Sequence, residues 1–252
     1  MKVRMYNVGF GDCFCLRDRK KSLLVDFGTN NSRIEGRPRR EIFDVIISDL
    51  STIKSKNLLL THFHMDHLSG LLYMMKKKDI SVDFGKIYLP DVFSKKEMSR
   101  TLVLLLLADL LKESGLPSRQ VSLFALVDAL LENKQNVELL SRGKLFENKY
   151  QALWPDTDVI RKETDEVYNR ICEDGKFKEV MDVLLEFAEK LRLIVWSMTA
   201  EGNKPAETVE KETDLTASEL TEQPEVRQKI IRAYVYEREF RRIKALPDFK
   251  KL

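Results

Sequence analysis

Imidazole is nearly missing from this chain, with three histidines in 252 residues. Cysteine is as scarce, also at three. An odd and small number in a chain this long excludes a disulfide framework. No apolar run approaches the ~20 residues that a membrane helix needs; the longest, from Leu102 to Leu107 and on to Leu111, is interrupted by Asp109. Neither sign of charge is in excess: 43 bases face 40 acids, a net of +3. That balance excludes a nucleic-acid binder working through overall charge, although local basic segments remain. Met1 to Tyr6 enter a strand-like pattern directly, with no apolar signal core. The expectation is a soluble protein of the reducing cytoplasm, with no membrane segment.

What is present is concentrated. His62, His64 and His67 lie within six residues and flank Asp66, in the run Thr61-His62-Phe63-His64-Met65-Asp66-His67-Leu68-Ser69-Gly70. Three residues scattered at random over the chain would take this spacing in about one arrangement in ten thousand. Clustered imidazoles and a carboxylate are the donors a borderline metal such as zinc requires. No histidine follows His67, so no later imidazole of this chain can complete such a site.

The surrounding pattern predicts where the cluster sits. Residues 1–27 read as strands, punctuated by Gly9 and Gly11. An amphipathic helix is predicted over 41–53 and a short buried strand over 57–60, which delivers the histidines at its C-terminal end. A helix over 68–77, ended by Lys76, Lys77 and Lys78, and a strand over 86–90 follow. The alternation of strands and helices is that of an α/β sheet, in which ligands bind beyond the carboxyl ends of strands. Residues 94–114 and 118–133 read as a helical hairpin broken at 115–117. Short strands are predicted over 137–154, with turns at 142–143 and 148–149. A helical period runs from Phe177 to Leu191, as core or a partner-facing seam. Residues 201–225 hold eight acids and two lysines, a mobile acidic linker by composition. Residues 226–252 hold nine bases and three acids and read as a basic helix to about residue 246, a solvated face. Cys13 and Cys15, on one side of a strand, are expected in the core, as is Cys172 on its helix.

A turn leaving a strand can point residues i and i+2 to one side, so His62 and His64 could share one metal. Asp66 and His67, one turn further, could face a second. Two metals about 3.5–4 Å apart can share a bridging hydroxide whose pKa is pulled toward neutrality.

The run Thr61 to His67 resembles the HxHxDH signature of the metallo-β-lactamase superfamily. Asn7-Val8-Gly9-Phe10-Gly11-Asp12-Cys13 resembles the glycine-rich first turn of its competence-protein-like branch. Val25-Asp26-Phe27-Gly28-Thr29 resembles the strand that carries the family's first aspartate, and Leu153-Trp154-Pro155 the end of the branch's mid-domain hairpin. The resemblance covers roughly residues 1–158. It implies an α/β (α+β) fold, the four-layer αββα sandwich, here incomplete and with an added helical segment. The domains so implied are 1–158, the N-terminal half of that fold, and 159–252, a helical insertion or extension that includes the 201–225 linker. By the same resemblance His62, His64, Asp66 and His67 are metal ligands, with two zinc ions in a complete site. Asp66 is also catalytic, orienting the attacking hydroxide, and Asp26 braces the metal loop as structural support. The implied reaction is zinc-hydroxide attack on an ester-like bond, most plausibly a phosphodiester, which makes nucleic acid a candidate substrate.

After the Trp-Pro element the family supplies a Gly-Asp with a bridging carboxylate and then a late histidine. Neither pattern is found, and Asp156, Asp158, Asp165 and Asp174 sit in helix-like or loop sequence. Three readings follow. The chain is a truncated or split hydrolase, inactive or incomplete alone, whose site a partner chain or a missing C-terminal half completes. It would then expose a sheet edge and apolar surface prone to association, homo-oligomers included. Alternatively it is a non-catalytic binding or scaffold protein that retains a relic motif. In the third reading it is an enzyme that takes further ligands from Asp, Glu or Cys172.

Overall fold

The computed structural model describes residues 1–18, 21–77, 83–113 and 122–200. The 201–225 linker, the basic helix after it and the 115–117 break expected from the sequence lie outside the described residues. Two compact units divide the chain, one drawn from Met1–Asp91 with Gln120–Pro155, the other from Val92–Arg119 with Asp156–Leu252.

The first unit is built on β1 (Lys2–Met5), β2 (Phe14–Asp18) and β3 (Lys21–Val25), then the two-residue strands β4 (Arg33–Ile34) and β5 (Arg37–Pro38). Helix α1 (Arg39–Ser51), β6 (Ser55–Leu59), α2 (Met65–Lys76) and β7 (Ile87–Pro90) follow. Six strands form a mixed sheet: β1, β2 and β3 are antiparallel neighbours, and β3, β6 and β7 run parallel. In the second unit, α3 (Ser99–Glu113) follows a 3-10 turn. The first unit resumes with α4 (Ser122–Glu132) and β8 (Val137–Leu140), which pairs parallel with β7 and ends the sheet. The hairpin β9 (Leu145–Phe146) and β10 (Tyr150–Gln151) closes this unit. The second unit continues with α5 (Thr157–Glu173) and α6 (Gly175–Ser197). The architecture is the mixed α/β class that the resemblance implies.

Each crossover between the parallel strands advances in the same direction along the sheet, and such crossovers are right-handed, so α1, α2 and α4 share one face. Leu24, Leu58, Ile87 and Leu89 point to it and are fully buried. Asp49 of α1 confirms the side, accepting Arg4 of β1 at 2.6 Å and Arg17 of β2 at 2.6 Å. Cys15, paired with Leu24 across β2 and β3, is buried there, and Cys13 is buried beside it. The opposite face carries Leu23, Tyr88 and Leu140 against Phe146 and Ala152 of the hairpin region. Val3 and Met5 of β1 share that face by register, opposite Leu16 and Phe14, yet remain 60% and 72% exposed.

In the second unit α3 packs on α5 and α6. Of the helical period from Phe177 to Leu191, Val180, Met181, Leu184, Ala188 and Leu191 are buried and Phe177 and Leu185 half-buried, while Phe187, which that period left out, is buried with them. Asp156 caps α5 by accepting from the Asp158 and Val159 amides. Arg100 Nη1 donates to Asp165 Oδ1 at 2.8 Å, tying α3 to α5. Cys172 is half-buried rather than core, and Tyr168, one turn earlier on the same helix, is the buried residue of α5. Among the described residues no helix is long and apolar enough to cross a membrane.

Candidate metal centre

The histidine cluster stands where β6 ends and α2 begins. The helix starts at Met65, three residues before the expected 68, because His64 adopts the extended N-cap conformation and its carbonyl accepts the His67 amide at 3.0 Å. Asp66 and His67 therefore fall in the first helical turn, where an anionic side chain suits the positive end of the helix dipole.

Loops following β1 and β3 are stitched into that turn. Phe27 N donates to the His67 carbonyl at 2.7 Å, and the Phe27 carbonyl accepts from Gly70 N at 2.8 Å and Leu71 N at 3.1 Å. Asp12 N donates to the Asp66 carbonyl at 3.3 Å. Ser69 Oγ both accepts from Thr29 N and donates to the Thr29 carbonyl. So close an approach needs residues without a Cβ. A Cβ on Gly28 would lie 2.6 Å from Asp66 backbone atoms, and one on Gly11 would lie 2.3 Å from the Gly28 carbonyl oxygen.

Asp26 organises the imidazoles from the end of β3. It is buried, with φ at +53°, a left-handed conformation that turns its carboxylate beneath the cluster. Its Oδ1 accepts from Thr61 N at 2.8 Å; its Oδ2 accepts from Thr61 Oγ1 at 2.6 Å and lies 3.0 Å from His67 Nδ1. A carboxylate only accepts, so the proton of His67 resides on Nδ1 and Nε2 keeps its lone pair. Thr61 spends its single hydroxyl proton on Asp26. Its oxygen, 3.1 Å from His62 Nδ1, is therefore the acceptor there. That contact places the His62 proton on Nδ1 as well, and again leaves Nε2 for a ligand. One buried carboxylate thus sets both tautomers, directly for His67 and through a threonine hydroxyl for His62.

The rings of His62 and His67 lie 3.7 Å apart between centroids, and His67 Nε2 is 3.6 Å from Asp66 Oδ2. Among the described residues, His62, Asp66 and His67 each offer a donor within 4.8 Å of the others, as do Asp12, Asp26 and His67. His64 belongs to neither group; its ring stands edge-on to that of His62 at 4.9 Å. Tetrahedral zinc with bonds of about 2.0–2.2 Å puts its donors about 3.3–3.6 Å apart. The first group has the donor types for a divalent ion, and its side chains would draw together to hold one. The second is a brace, since both its carboxylates face the protonated Nδ1, Asp12 Oδ2 at 3.6 Å. Burial, and then the neighbouring His67 and His64, hold His62 below the ordinary imidazole pKa, which favours the neutral, ligating form.

Asp12 and Thr61 were not singled out from sequence. The signal for Asp12 was its place after Gly11 in the glycine-punctuated connection; for Thr61, its place immediately before the first histidine.

Comparison with known proteins agrees with this geometry in the N-terminal portion. Residues 6–91 match the family model of the Metallo-beta-lactamase superfamily. "Endoribonuclease YSH1" of Mycosarcoma maydis is 32% identical over 77 residues, a stretch that is 31% of this chain and 8% of that protein. No solved structure matches.

Proposed function

We propose that this chain is a metal-dependent hydrolase of the metallo-β-lactamase type, with a phosphodiester as the bond attacked. The carrying observation is the convergence of His62, Asp66 and His67 beyond the carboxyl ends of β3 and β6, with one buried carboxylate presenting both imidazoles in the ligating tautomer. Zinc is the proposed ion, because two imidazoles and a carboxylate suit a borderline cation. His62, Asp66 and His67 hold it, and His64 is the proposed donor to a neighbouring ion. When bound, the metal supplies Lewis acidity and brings the pKa of water toward neutrality. The chain's residues do the rest. Asp66, part-exposed in the first turn of α2, orients an incoming water through Oδ2. Asp26 and Thr61 hold the imidazoles still. The endoribonuclease among the similar proteins supports a phosphodiester, and three free cysteines support a reducing compartment such as the cytoplasm.

Further donors from a partner polypeptide complete the proposed site. The support is the exposed apolar row of Val3 and Met5 on the sheet face opposite α1. Elemental analysis of the purified chain is the first test. Bound zinc that falls sharply in His62→Ala is expected, and chelator-sensitive cleavage of a chromogenic phosphodiester once the completing polypeptide is added. A chain that binds no metal overturns the proposal. Stoichiometric metal with no cleavage of any ester even in that complex would favour instead a binding protein that keeps the motif.

A further inference from the structure

The loop that carries Asp12 to the cluster also holds an aromatic ring out in water. Phe10 is 73% exposed, two residues before Asp12, whose carboxylate reaches His67. Its backbone is anchored at both ends: Phe10 N donates to Asn31 Oδ1 at 2.8 Å, and its carbonyl accepts from Asn30 N at 2.9 Å and Thr29 Oγ1 at 3.2 Å. Burial of the ring would be favourable, so its display is imposed by these anchors. The β4–β5 hairpin adjoins this loop. A Cβ on Gly9 would meet Asn31 at 3.2 Å and Ile34 at 3.3 Å, and Asn7 Nδ2 donates to Glu35 Oε1 at 2.7 Å. Between Arg33 and Glu41 the hairpin and the start of α1 carry four arginines and two glutamates; all four arginines are exposed, and Arg37 pairs with Glu41 at 3.5 Å across a solvent-exposed contact. In a chain of net charge +3 this is a concentrated basic strip, and its hairpin adjoins the loop that carries Asp12 to His67.

We infer that Phe10 and the arginines of the β4–β5 hairpin form a docking strip for a single-stranded polynucleotide, which they feed toward His62 and Asp66. An exposed ring stacks on an unpaired base of any sequence, and guanidinium groups neutralise the phosphates on either side. A duplex hides its base faces and offers the ring nothing. An acidic peptide would use the arginines but not the ring. The inference rests on the phosphodiester reading for its direction toward the site, but binding to the strip needs no metal.

The test uses the full chain, stripped of metal and kept in chelator so that nothing is cleaved. Fluorescence anisotropy measures binding of labelled single-stranded deoxy- and ribo-oligonucleotides over a salt series. Phe10→Ala should weaken binding about tenfold or more, while Phe10→Tyr stays near wild type. Arg33→Gln with Arg37→Gln should make the plot of log affinity against log salt shallower by about 0.7 for each arginine lost. Thermal melts of all variants should coincide with wild type. Wild-type affinity in Phe10→Ala overturns the inference. So does equal binding of a duplex, or displacement of the oligonucleotide by polyglutamate as readily as by unlabelled strand, which would make the strip a site for acidic peptides. Oligonucleotide bound by a chain that takes up no zinc would sink the hydrolase reading and leave the strip standing, and zinc without oligonucleotide would do the reverse.

Discussion

Replacing Asp26 by asparagine changes one heavy atom and should disable the proposed metal centre. The carboxylate accepts three hydrogen bonds, from Thr61 N, Thr61 Oγ1 and the His67 ring. The amide oxygen can keep the first of these. Its nitrogen then confronts Thr61 Oγ1 and His67 Nδ1 as a donor. His67 relieves the clash by moving its proton to Nε2, which removes the lone pair directed at Asp66. The Thr61 hydroxyl, no longer able to donate to Oδ2, turns toward His62 Nδ1 and shifts that tautomer too. Loss of an outer carboxylate that orients a ligating histidine costs about 10–100-fold in metal affinity; with two imidazoles affected, the upper end is expected. The fold should lose about 1–3 kcal/mol from the disrupted buried hydrogen bonds, which lowers Tm by about 2–4 °C per kcal/mol in a chain of this size. Nitrogen NMR of the metal-free histidines reads the tautomers, and competition against a chromophoric chelator reads the affinity. Thr61→Val should shift His62 alone, and Thr61→Ser should restore it. An Asp26→Asn protein with His67 still protonated on Nδ1 and zinc affinity within about twofold of wild type would refute the reasoning.

Gly28→Ala forces a methyl to 2.6 Å from the Asp66 backbone; a destabilisation of about 1–3 kcal/mol and weakened zinc binding are expected by calorimetry. Gly175→Ala, with open space around its Cβ, should melt as wild type. Tyr6 has its phenol pushed up to about 12, first by burial and then by its hydrogen bond to Asp49. Because the unfolded phenol ionises first, near 10, this group's stabilisation is full below pH 10 and is lost as pH rises toward about 12. Chemical denaturation across that window should show a shallower decline for Tyr6→Phe. Val3→Glu on the exposed apolar row should lower self-association in light scattering while leaving the melting temperature of the chain unchanged.

Much of the first unit is legible in the residues alone, because local rules agree there. The existence of the helix over 41–53, the apolar strand before Thr61 and the alternation of elements all draw on side-chain spacing, which the backbone geometry of helix and strand makes readable. The face of that helix is less legible, since a period through Ile42, Val45, Ile46, Leu50 and Ile53 leaves Val45 exposed while Phe43 and Ile47 are buried beside Ile46 and Leu50. Element ends are less legible too. The start of α2 at Met65 follows from an N-cap contact and from loop amides bonded to Asp66 and His67, neither of which has a signature in spacing. Cys172 shows the same limit, since burial on an amphipathic helix depends on which neighbours arrive.

The chain by itself determined that a cluster of candidate metal donors exists and that it lies at the end of a strand, because three imidazoles and an aspartate in six residues are a matter of composition and order. Only the tertiary structure decided which candidate donors lie close together. It grouped His62 with Asp66 and His67, set His64 aside, and brought Asp12 and Asp26 beneath the ring of His67 from loops 55 and 41 residues earlier. Donor geometry is settled by contacts between segments distant in sequence. The tautomers of both imidazoles depend on a single carboxylate whose direction is set by the left-handed turn at Asp26.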